Sequence, residues 1–75
     1  MSDAGEELRR ALEEAARAEQ GHAAALAALA MNLDAEGHHH LARAFWHVSD
    51  ELRAQMIKHL ALATSIRLTP TPTKP

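Results

Sequence analysis

Apolar residues return every three or four positions along the first half of the chain. The series is Leu8, Leu12, Ala15, Leu26, Leu29 and Leu33, with Glu19 and His22 filling the two places in the middle. Its spacing of 4, 3, 4, 3, 4, 3, 4 is a heptad seam held for about four heptads, which predicts one long amphipathic helix. A second series repeats the spacing: Leu41, Phe45, Val48, Leu52, Gln55, His59, Leu62 and Ile66. Leu60 and Met56 widen that second stripe into the broader face of a bundle helix.

The ends of both helices are marked. Asp3 is a good N-cap, and Glu6 and Glu7 stand in the first turn, where the helix dipole favours negative charge. Gly37, after Asp34, Ala35 and Glu36, closes the first helix because it takes positive φ without penalty. The second opens at His38 to His40 and is stopped by Pro70 and Pro72. The expected organisation is a helical unit over 1–68, with helices at about 3–35 and 38–67, and an extended Thr/Pro tail over 69–75. So short a connection makes the two helices an antiparallel hairpin.

Composition settles the class. With 17 Ala and 10 Leu against 3 Gly, 3 Pro and one Val, helix formers dominate and strand formers are scarce. The expected fold is all-α. A lone hairpin of 75 residues leaves much of its leucine surface wet, and small domains without disulfides or metals usually oligomerise to gain stability. Small residues at Ala11, Ala15, Ala23, Ala30, Ala44 and Ala63 favour close helix approach. A homodimer completing a four-helix bundle is therefore expected.

Charge and cysteine content remove several classes. A formal charge of −2 with interspersed signs lacks the basic footprint of a nucleic-acid protein. The absence of Cys excludes disulfides, thiolate zinc sites and thiol nucleophiles. No apolar run reaches the roughly 20 residues of a membrane span, and the acidic start does not resemble a secretory signal. A cytoplasmic location without membrane partners is the expectation.

The seams break their own rule at Glu19, His22, Gln55 and His59, which an antiparallel hairpin brings to one neighbourhood. Buried polar groups without partners cost roughly 1–3 kcal/mol each, so they should satisfy one another, a water or a metal. Glu19 and His22, at i and i+3, can point the same way from one helix, and His59, Glu51 and Gln55 can add ligands or support. That oxygen and imidazole set suits a transition metal, iron first, with manganese or zinc as the other choices. The competing reading is a hydrogen-bonded polar layer that needs no metal, in a helical adaptor that dimerises and binds a protein partner.

Between residues 19 and 60 the chain resembles the first two helices of rubrerythrin-type ferritin-like proteins. The likeness rests on Glu19, on Glu36-Gly37 at the turn, on Ala42, Arg43 and Phe45, on Asp50-Glu51 and on His59-Leu60. It implies a half-bundle of two helices, a carboxylate-bridged di-iron centre, and chemistry with oxygen, peroxide or stored iron. The family's second helix carries its own Glu-x-x-His, and those two positions here hold Leu52 and Gln55. Only Glu19 carries over as a ligand, and no catalytic residue is assigned.

Two further features stand apart from the seams. His38, His39 and His40 fan around the start of the second helix and cannot all face one ion. Trp46 falls just off the stripe, at a place suited to a dimer or partner contact.

Overall fold

The computed structural model describes residues 3–68, which form two α-helices and, among the described residues, no strand. The expected Thr/Pro tail lies outside them. Helix α1 spans Ala4–Ala35 and α2 spans His39–Leu68. Asp3 caps α1 from an extended conformation, its Oδ1 accepting the Glu6 backbone N–H at 2.7 Å.

The turn is a Schellman motif built on Gly37. With φ at +89°, Gly37 donates its N–H to the Asp34 carbonyl at 3.1 Å, and His38 donates to the Leu33 carbonyl at 2.8 Å. Two orphan carbonyls of α1 are satisfied within three residues, and the chain reverses at once into α2. The helices then run antiparallel along their whole length, so that Ile66 near the end of α2 lies beside Gly5 at the start of α1.

Only one row of each expected seam lies between the helices. Leu12, Glu19, Leu26 and Leu33 face α2 and are partly buried, as are Phe45, Leu52, His59 and Ile66 facing α1. The second row of each seam is one residue away from its expected place. In α1 it is Ala16, Ala23 and Ala30, in place of Ala15, His22 and Leu29. In α2 it is Ala42, Ser49, Met56 and Ala63, in place of Leu41, Val48, Gln55 and Leu62. The reason is steric. With alanine or serine at every seventh position except Met56 the two backbones close together, and bulkier neighbours are turned out to the sides.

Ser49 shows how close the approach is. Its side chain is fully buried, and its hydroxyl donates to the Ala23 carbonyl of the other helix at 2.9 Å. An alanine there would leave no partner for a bridge, and a larger side chain would push the helices apart. Every fully buried hydrophobic residue described is an alanine.

The displaced residues define a surface. Leu8 and Leu29 on α1 and Leu41, Val48 and Leu62 on α2 are each about half exposed. A cleft lined by Glu13, Ala16 and Gln20 from α1 and by Met56 and Leu60 from α2 fixes which edges share a side. Opposite that cleft, the rows 8/15/22/29 and 41/48/55/62 therefore lie together on the other broad side of the hairpin. We refer to this second side as the apolar face and to the first as the grooved face.

Candidate functional site

Glu19 and His59 meet across the seam. Ser49 reaching Ala23 sets the register, which places His59 roughly 9 Å beyond the level of Glu19 at 1.5 Å per residue. Side chains on a helix lean towards its N-terminus. In an antiparallel pair, Glu19 therefore leans towards the open end and His59 towards the turn, and the gap closes. Glu19 Oε1 and His59 Nδ1 are 2.8 Å apart, with 16% and 25% of their side chains exposed.

The direction of this hydrogen bond fixes the imidazole. A carboxylate only accepts, so His59 Nδ1 donates, and in the neutral ring Nε2 keeps its lone pair. The pair belongs to the two seam rows that border the apolar face. Glu19 thereby orients the ring and leaves Nε2 as the nitrogen that can act as acceptor or ligand.

The remaining expected ligands are elsewhere. His22 is exposed, on the row that the alanines displaced outward, and does not share the seam with Glu19. Gln55 is exposed on the matching row of α2, beside Glu51 and Lys58 in a shallow concavity. Glu51 pairs with His47, whose Nε2 stands 3.1 Å from Glu51 Oε1, one turn apart on the surface of α2. Among the described residues no group of three or more His, Cys, Asp or Glu converges on one point. Of Glu19, His22, His59, Glu51 and Gln55, the fold of one chain joins Glu19 to His59 across the helices, while Glu51 and Gln55 share only a surface concavity of α2.

The histidine run at the turn disperses as its spacing requires. His39 Nδ1 lies 2.5 Å from Asp34 Oδ1, His38 Nε2 lies 4.0 Å from Glu36 Oε1, and His40 is exposed. At the far end Arg9 is clamped between Glu6 and Glu13. The hydrogen bond to Glu6 foremost, then the charge of Glu13, holds its guanidinium above the ordinary arginine value, with desolvation opposing.

Sequence reasoning missed a second feature, on the grooved face. Asp34, His39, Ala42, Arg43 and Trp46 line a cleft of about 310 Å³ beside the turn. The cleft with Met56 and Leu60, about 230 Å³, repeats it two heptads along, because Ala42 and Trp46 plus fourteen are Met56 and Leu60. Exposed Trp46 was the one signal of it in the sequence, and a groove needs the edges of both helices before it exists.

No helix among the described residues is long and apolar enough to cross a membrane. No family model matches the chain, and no curated protein or solved structure matches it.

Proposed function

We propose that this protein is a self-associating helical module in which a second copy covers the apolar face and completes a four-helix bundle. The observation that carries this reading is the half-exposure of five large aliphatic residues, Leu8, Leu29, Leu41, Val48 and Leu62, on one broad side. Covering each is worth on the order of 1 kcal/mol, about half of a full aliphatic burial. A helix of 32 residues is about 48 Å long, and two helices side by side are about 20 Å wide. One face is thus on the order of 1,000 Å² per copy, so a pair buries about 2,000 Å², the range of stable interfaces. No Arg occupies the two rows of this face, which spares a self-pairing surface from meeting its own charge.

Sedimentation equilibrium on untagged protein tests it. A dimer at micromolar concentration is expected, and a chain that stays monomeric at 100 μM would sink the proposal.

Within that dimer a second reading is favoured by the Glu19–His59 pair, namely a transition-metal site of the kind the ferritin-like resemblance suggests. His59 Nε2 would be the ligand, with Glu19 orienting the ring, and two copies would double the set. His22 and Gln55, exposed on the same face, would be brought into the bundle by the second copy. Iron, manganese and zinc all suit imidazole with oxygen donors. Native mass spectrometry after separate exposure to Fe(II), Mn(II) and Zn(II) decides it. Retention of an ion by the dimer, lost in His59→Ala, supports the site; an apo dimer indifferent to all three leaves the pair as a polar interlock that fixes helix register.

A further inference from the structure

We propose that the grooved face is a docking surface for an acidic amphipathic helix from another protein. The two clefts lie on the same edges of the hairpin, two heptads apart, and so belong to one inter-helix groove. Along α2 the groove is bordered by a single row, Trp46, Arg53 and Leu60, at intervals of seven residues. Trp46 and Leu60 are 36% and 43% exposed, and they stand about 21 Å apart at 1.5 Å per residue. That is four turns of a docked helix, the reach over which positions i, i+3, i+7 and their successors anchor.

Charge selects the occupant. Arg17 lines the far cleft, Arg43 the near one, and Arg53 stands between them. All three are exposed, and among the described residues no ion pair engages any of them. The acids that line the same clefts are already committed: Glu13 holds Arg9 at 2.9 Å, and Asp34 stands 2.5 Å from His39. Asp50, seven residues after Arg43 on the same outer row, is exposed and is the one acid on this side that no ion pair among the described residues engages, so it offsets part of the positive charge. The groove thus offers two apolar anchor points flanked by three uncommitted guanidinium groups. Tryptophan and arginine are the residues that dominate binding energy at protein interfaces, and Arg pairs with carboxylates in bidentate fashion. Three such charges on a chain of net −2 are too few for a nucleic-acid track, so a helix with leucines on one side and glutamates beside them is the fitting partner.

Trp46, the one tryptophan of the chain, reports directly. The intact protein is titrated with an 18-residue amphipathic helix carrying Leu and Glu, with its Leu and Lys counterpart, and with a single-stranded oligonucleotide. The acidic peptide is expected to shift Trp46 emission saturably and at least tenfold more tightly than the basic one. The double variant Arg43→Glu, Arg53→Glu should lose that binding tenfold or more and transfer the preference to the basic peptide; circular dichroism checks that it stays helical. Equal response to both peptides, tighter binding of the oligonucleotide, or an affinity indifferent to the charge reversal would overturn the inference. Leu29→Glu, on the opposite face, should leave the titration unchanged even where it dissolves the dimer, which keeps the two proposals separable.

Discussion

The two broad faces of this hairpin are made from the same two helices and differ in what they ask of a partner. The apolar face presents Leu8, Leu29, Leu41, Val48 and Leu62, with His22 and Gln55 as its polar interruptions. The grooved face presents one indole, one exposed leucine and three arginines that no ion pair among the described residues engages, with Met31 and Ile57 exposed on the outer rows that carry Arg17 and Arg43. Aliphatic area is non-directional, so it rewards any complementary surface and suits a second copy. Charge and aromatic contacts are directional and screened by salt, so they reward a particular partner. One seam of alanines separates the two kinds of surface.

The largest effect should come from charging the apolar face. Leu29→Glu with Leu41→Glu is expected to weaken self-association at least a hundredfold, about 3 kcal/mol, because each carboxylate would be desolvated in the pair. Sedimentation read against Arg43→Glu, which should leave the dimer intact, turns the contrast between faces into two numbers. A dimer insensitive to the first change would erase the contrast.

Next comes the seam that divides the faces. Ala23→Leu places three extra carbons against the buried Ser49 hydroxyl and should cost about 2–3 kcal/mol in chemical denaturation. Should it prove neutral, the helices are not closely packed and the outward turn of Leu29 and Leu41 needs another cause. Smaller again, Gly37→Ala forces a Cβ into φ +89° and should lower stability by about 1 kcal/mol, read from the same melts.

The smallest change has the opposite sign. Gly21 sits in the middle of α1, and a Cβ added there would meet nothing within 4 Å, so Gly21→Ala should raise stability by about 0.5–1 kcal/mol. A loss instead would mean that something packs there, and association measured on the same variant would show whether it is the second copy.

How far the sequence was readable depends on which physical quantity each feature rests on. Helix ends rest on local chemistry, and Asp3 and Gly37 mark them unambiguously. The rows through Leu12, Leu26 and Leu33, and through Phe45, Leu52 and Ile66, follow from periodicity alone. The second rows do not, because Leu29 beside Ala30 or Leu41 beside Ala42 satisfies the same spacing to within one residue. Size favours the leucine, whereas close approach of two backbones favours the alanine, and approach wins here. The candidate site inherits that ambiguity: Glu19 stands on a readable row and His22 on a displaced one, so spacing of i and i+3 could not show that they part. The meeting of Glu19 with His59 depends on the antiparallel register and on the lean of both side chains, neither of which periodicity carries.

The seventh-residue repeat of the buried small residues has a last consequence, for handedness. Ala16, Ala23 and Ala30 keep a period of 3.5 residues per turn, whereas a straight α-helix turns every 3.6, so a straight seam would drift by about 20° per heptad. Staying in contact from Ala16 to Ala30, and from Ala42 to Ala63, requires the pair to wind left-handed about a common axis. Both open faces then spiral with it. A rod-like partner would leave the surface after a few turns, and only one able to coil in the same sense could follow it from the turn to the open end.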